Sequence, residues 1–121
     1  MVCFVHPCLS ISNYELLKTG GVVTINLLHT LDNEVLERLR GIAFTDSVHS
    51  LRRPLSKLAK EFLAKSACNW VQSRAKLDII VEKVSDAQGC RCVSAGVDIH
   101  EHTSESCRES VFAYLSKRVN W

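Results

Sequence analysis

Three short apolar runs constrain this chain more than any other feature. They are Gly41-Ile-Ala-Phe-Thr45, Ala67 to Gln72, and Cys90 to Ser94. Each has the length of a strand and stops at a polar or glycine-containing turn. Segments of helical period stand around them. Strands separated by helices argue for βαβ crossovers, and so for a parallel sheet. The expected class is α/β, with a mostly parallel sheet and flanking helices. Three or four strands make a thin sheet, laid out like the C-terminal half of a doubly wound domain.

The helical segments differ in character. Gly20-Gly21 opens Val22 to Leu31, which is apolar almost all round. A helix of that kind is expected to be buried, and the double glycine suggests a turn where the backbone approaches its neighbours closely. Glu34 to Arg40 reads as a short exposed helix. Pro54 fits the first turn of a helix over Pro54–Lys65. Leu55, Leu58, Ala59, Phe62 and Leu63 form its apolar stripe. Arg52-Arg53 with Lys57, Lys60 and Lys65 reads as a solvated face. A last helix is expected over Ser104–Lys117, with Val111, Tyr114, Leu115 and Val119 inward. Its Glu105 and its Lys117-Arg118 suit the helix dipole. Val2 to Val5 could be a further strand ended by Pro7, and Cys8 to Thr19 shows little period. Ser73 to Asp78 reads as a polar loop.

The 121 residues suffice for one domain. A net charge of +2 leaves no strong electrostatic footprint for nucleic acid, so no direct nucleic-acid contact is expected. No apolar run approaches the ~18 residues of a membrane span, and no membrane partner is expected. The start, Met1-Val-Cys-Phe-Val-His-Pro7, is too short for a signal core. The six cysteines are irregularly spaced. Buried free thiols in an intracellular, nuclear or cytoplasmic protein are therefore expected, not a secreted disulfide framework.

Polar residues cluster after the strand ends, where open α/β sheets place their sites. Asp46 follows the first run, Asp78 the second and His100 the third. Acid followed by histidine is the order of the Ser–Asp–His hydrolases. There the acid fixes the imidazole tautomer, and the imidazole takes a proton from serine. Asp78 is the preferred partner of His100, because it follows the neighbouring strand, with Asp46 as the alternative. The nucleophile is missing. The turn before the buried helix reads Leu17-Lys18-Thr19-Gly20-Gly21, with Lys18 where serine belongs and Thr19 one residue out of register. The candidates are thus the remnants of a triad. Each acid has a blander reading as a cap or loop acceptor. His49 and His102 read as surface residues. Cys90 and Cys92, with His100 and His102, invite zinc, but ligand pairs take wider spacings. No metal and no cofactor are expected.

Several blocks carry a resemblance. They are Gly41-Ile-Ala-Phe-Thr-Asp-Ser-Val-His49; Cys68-Asn-Trp-Val-Gln-Ser73 with Leu77-Asp78; and Val93-Ser-Ala-Gly-Val-Asp-Ile-His100-Glu-His-Thr-Ser104 with Ser110-Val-Phe112. In order and spacing they resemble the argonaute-binding protein 2 (Arb2) domain family, above all its animal branch, "family with sequence similarity 172". The likeness runs from about Gly20 to Leu115. It implies an α/β-hydrolase-like fold in a domain longer than this chain, and a role that is not metabolic. That role is association with argonaute proteins, small-RNA-directed heterochromatin and cotranscriptional control of splicing, largely in the nucleus. The family's His-Ser-x-Gly-Gly elbow keeps only its glycines here. On this reading residues 1–19 are a divergent or interrupted segment, and residues 20–121 are the C-terminal part of the domain. Val2 to Pro7 would be the strand leading to the elbow. A protein partner and no enzymatic activity are the expectation; a serine hydrolase with a misplaced nucleophile is the alternative.

Overall fold

A computed structural model describes residues 2–6, 9–14, 20–51 and 54–118. Among the described residues five strands form one sheet: β1 (Val2–His6), β2 (Leu9–Tyr14), β3 (Gly41–Thr45), β4 (Ala67–Val71) and β5 (Arg91–Ser94), in the order β2-β1-β3-β4-β5. The three runs picked out by their apolar character are the parallel half, β3-β4-β5. Ile42 stands beside Ala67, Thr45 beside Trp70, Cys68 beside Arg91, and Val71 beside Ser94. Every residue of β3 and β4 is buried. A parallel strand covered on both faces needs apolar residues at consecutive positions, which is why these runs do not alternate.

The sheet separates two cores. Ile42 and Phe44 face one side, with Ile25 and Leu28 of α1 (Gly20–Thr30), Leu36 of α2 (Asn33–Arg38), and Ala59 and Leu63 of α3 (Lys57–Ser66). Ala43, Cys68, Trp70 and Val93 face the other, against Cys107, Val111 and Leu115. The period of two along β3 thus assigns successive side chains to opposite layers.

Several expectations need correction. Helix α1 is buried along one face only: Thr24, Ile25 and Leu28 are inside, but Val22, Val23 and Leu27 are 42–51% exposed. A helix lying on a sheet has a single contact face, and among the described residues no further layer covers the other. Helix α3 begins after Ser56, not at Pro54. The Ser56 hydroxyl accepts from the Ala59 N–H at 3.1 Å, so the serine is the cap and Pro54 lies outside the helix. The C-terminal helix is broken. A 3-10 turn (His100–His102) leads into α5 (Thr103–Ser106). Cys107 then leaves helical geometry, and α6 (Arg108–Ser116) follows. Val119 lies outside the described residues.

Helix α4 (Glu82–Gln88) was not anticipated. It is short and polar, and Gly89 ends it at φ 68°, a left-handed position suited to glycine. Residues 78–81 ahead of it run along the outer edge of β5. Asp78 N–H bonds the Ser94 carbonyl at 2.9 Å, Ser94 N–H the Ile79 carbonyl at 2.8 Å, and Val81 N–H the Cys92 carbonyl at 2.9 Å. The edge strand is thereby covered. At the other side, β1 runs antiparallel to β3 and pairs with β2 as a hairpin. The chain therefore turns back after β1, so β1 does not lead straight into the turn before α1. Pro7, Cys8 and residues 15–19, Lys18 and Thr19 included, lie outside the described residues. Among the described residues no helix is long and apolar enough to cross a membrane.

Candidate functional site

The C-terminal ends of the parallel strands carry the site. Asp46 follows β3 directly, with φ 47°, a left-handed conformation that aspartate tolerates better than most residues. Its N–H bonds the Trp70 carbonyl at 2.6 Å. Its Oδ1 accepts the Gln72 N–H at 2.9 Å, and its Oδ2 accepts Nδ1–H of His100. Gln72 follows β4, and His100 opens the turn after β5. The carboxylate that follows β3 thus takes a backbone N–H from the end of β4 and an imidazole N–H from the turn after β5.

A carboxylate only accepts, so the proton of a neutral His100 stands on Nδ1 and Nε2 keeps its lone pair. The side chains are 29% exposed for His100 and 13% for Asp46. Thr103 Oγ1 donates to the His100 carbonyl at 2.8 Å. A hydroxyl pair, Thr45 and Ser104 at 2.8 Å, ties the end of β3 to α5. Ser106 Oγ donates to the Ala95 carbonyl at 2.7 Å. Such a pair orients an imidazole as a hydrogen-bond acceptor or base.

Asp78 is placed elsewhere, and the preference for it is corrected. Its Oδ1 accepts from Trp70 Nε1 at 2.7 Å and its Oδ2 from the Ser110 hydroxyl at 2.8 Å. The reason lies in the loop after β4, which turns back along the outer edge of β5 and takes Asp78 with it. The carboxylate then serves the buried Trp70 ring, which packs edge-on against Tyr114.

His49 is also corrected: it is 2% exposed, not on the surface. Its Nδ1 lies 2.6 Å from Ser47 Oγ, and its Nε2 lies 3.2 Å from the Gln88 carbonyl. A carbonyl only accepts, so Nε2 carries the proton and Ser47 donates to Nδ1. Burial lowers the His49 pKa, and the Gln88 backbone bond opposes this in part. Asn69 completes the network, donating to the Ser47 carbonyl at 3.0 Å and to Gln88 Oε1 at 2.6 Å. Gln88 Nε2 also donates to the Ser47 carbonyl, at 2.9 Å. The network lies directly beside the start of α1. A Cβ on Gly21 would stand 1.6 Å from Ser47 Oγ, so the close approach expected of the double glycine is onto this serine. Sequence reasoning passed over these residues. The available signal was Asn69, an amide inside an otherwise apolar strand.

Cys68, Cys90 and Cys92 are buried free thiols, and Cys107 is buried. Burial pushes Cys68 up to about 12. Cys90 is raised, first by its hydrogen bond with Cys92 and then by burial. Among the described residues no three His, Cys, Asp or Glu side chains are grouped to hold a metal ion. His102 is exposed.

The chain is 43% identical over 98 residues to the "Cotranscriptional regulator ARB2A homolog" of Dictyostelium discoideum, a match covering 79% of this chain and 25% of that protein. It is 34% identical over 101 residues to the Gallus gallus homologue, covering 83% and 24%. It is 33% identical over 99 residues to Homo sapiens "Cotranscriptional regulator ARB2A", covering 81% and 23%. The chain belongs to this Arb2-like family. It spans about a quarter of the length of the ARB2A proteins it matches. No family model matches the chain, and no solved structure matches it.

Proposed function

We propose that this chain is part of an Arb2-type domain that acts as a non-catalytic protein-interaction module in cotranscriptional regulation in the nucleus. Residues 20–121 form the C-terminal part of that domain, and argonaute or chromatin-associated proteins are its partners. The observation that carries the regulatory part is the 33–43% identity to ARB2A proteins. The non-catalytic part is supported by the sequence ahead of α1, Lys18-Thr19-Gly20-Gly21, which offers a lysine where an elbow serine would stand. An acid–imidazole pair without a hydroxyl to deprotonate has no nucleophile to activate. Asp46–His100 then serves to hold the loops at the strand ends in one arrangement.

The pair itself favours the second reading, a serine hydrolase, since Nε2 of His100 keeps a free lone pair. One experiment separates the two. The purified chain is titrated with purified argonaute protein, and in parallel is screened against activated esters with a His100→Ala control. Saturable binding without His100-dependent turnover supports the module. Turnover lost in His100→Ala puts the hydrolase first. Absence of both removes the argonaute partner.

A further inference from the structure

Among the described residues, the outermost edge of the sheet beside β5 reads Leu77-Asp78-Ile79-Ile80-Val81. The segment is strongly apolar, yet Leu77, Ile79 and Ile80 are 39%, 54% and 52% exposed. It takes no part in the Asp46–His100 site. Exposed edges are ordinarily guarded by lysine, proline or a covering element. No lysine or proline stands within this one.

The backbone of the edge is only half used. Ile80 lies opposite Val93 in an antiparallel bridge. The bonds flanking the bridge are Val81 N–H to the Cys92 carbonyl, 2.9 Å, and Ser94 N–H to the Ile79 carbonyl, 2.8 Å. In an antiparallel pair with that pattern, the bridged residue turns its own N–H and C=O away from its neighbour. Ile80 therefore presents a donor and an acceptor outward, and among the described residues neither has a backbone partner. One residue of an added strand would satisfy both. An open cleft of about 650 Å³ adjoins Ile80 between the last turn of α3 and α4, with Ala64, Glu82, Asp86, Cys90 and Arg91 in its wall. Glu82 and Asp86 stand one turn apart on α4 and so share a face. Among the described residues neither carboxylate has an ion-pair partner, and together they outnumber the one guanidinium.

We propose that this edge docks an extended segment of a partner protein, added as a strand antiparallel to Ile80. The segment carries an apolar residue opposite Ile80 and a lysine or arginine two residues before it. Antiparallel register sets that basic residue opposite Glu82, where it meets both carboxylates. Main-chain bonds supply the affinity and the charge supplies the selection. A second copy of this chain fits less well. Two-fold pairing centred on Ile80 would set Asp78 of each copy against Glu82 of the other, and like charges directly opposite are destabilising.

The test titrates the full isotope-labelled chain with the peptide acetyl-Thr-Lys-Thr-Val-Thr-Val-Thr-amide, whose first valine is meant for Ile80. Saturable binding is expected, with amide shifts centred on residues 77–83. N-methylation of that valine removes the donor to the Ile80 carbonyl and leaves every side chain in place. It is expected to weaken binding roughly fivefold or more. Glutamate in place of the lysine is expected to weaken binding roughly two- to fivefold. Glu82 is exposed, so Glu82→Lys keeps the fold, and it should abolish the preference for lysine. No saturable binding, equal affinity for the N-methylated peptide, or shifts centred on Asp46 and His100 would each overturn the proposal. So would a dimer that Ile80→Pro converts to monomer, since the occupant would then be a second copy. The proposal extends the interaction-module reading, and the two fail separately. Peptide binding without argonaute binding removes that partner and keeps the edge; argonaute binding without peptide binding does the reverse.

Discussion

Asp46 and His100, 54 residues apart, meet across the end of β4, and Gln72, the residue just after that intervening strand, bonds the same carboxylate. The acid is thus held from both sides before any ligand arrives. Asp46→Ala leaves the Gln72 N–H and the His100 ring without their acceptor. A cost of ~1–3 kcal/mol is expected, visible as a lower denaturation midpoint with unchanged slope. Asp46→Asn should cost less, because its amide oxygen still accepts. A midpoint unmoved by Asp46→Ala would show that the carboxylate holds nothing in place.

Asp78 has a different job, and its loss has a different signature. Asp78→Ala strands the Trp70 indole N–H, which lies in a residue only 3% exposed. Destabilisation of ~1–3 kcal/mol is expected, with a shift in the indole N–H resonance of Trp70. The ring nitrogens of His100 should keep their chemical shifts. A change at His100 as large as that caused by Asp46→Ala would contradict the separation of the two acids.

The preference for Asp78 from sequence shows where pattern reading stops. The β3 boundaries were legible to the residue, because an apolar run bracketed by Arg40 and Asp46 leaves little choice. The stripe of α3 was legible for the same reason, through its period. Which acid reaches His100 depends instead on the path of the loop after β4, and no local pattern records that path. His49 was misread likewise. Its burial depends on Gln88, 39 residues away, and on Asn69, which ties Ser47 and Gln88 together. Helix α4 is too short and too polar to show an apolar stripe, and only Gly89 marked its end.

Gly21 provides a sharp test of the contact between α1 and the buried polar network. A methyl group there would stand 1.6 Å from Ser47 Oγ and 2.9 Å from His49 Nδ1. Gly21→Ala is expected to cost ~1–3 kcal/mol through overpacking, although alanine is the better helix former. Adding Ser47→Gly removes the nearest clashing atom, and the double variant should recover part of the loss in a thermodynamic cycle. Strict additivity of the two changes would deny the contact.

The network also makes stability depend on pH. Burial sets the His49 pKa below the ordinary 6.5, so between that value and the folded-state pKa the unfolded chain binds more protons. Stability must therefore rise with pH through this window. The contribution of His49 is complete above about 6.5 and is lost as pH falls toward the folded pKa. Urea unfolding at pH 7.5, 6.5 and 5.5 should show a declining midpoint. His49→Gln should be less stable at pH 7.5, yet flatter across the series. An equal decline in both proteins would assign the proton uptake to another group.

The outer face of α1 gives the last prediction. Val22, Val23 and Leu27 are 42–51% exposed on one helix, and such grouped apolar side chains promote association. Since these side chains are partly solvated already, Val23→Lys with Leu27→Lys removes little buried area, and the melting temperature should change only slightly. Association should change more. Light scattering over a concentration series is expected to show growth of the wild-type particle and a smaller, constant mass for the double variant. Equal association in both proteins would clear this face of α1. A large drop in melting temperature would instead mean that these residues support the fold, against their observed exposure.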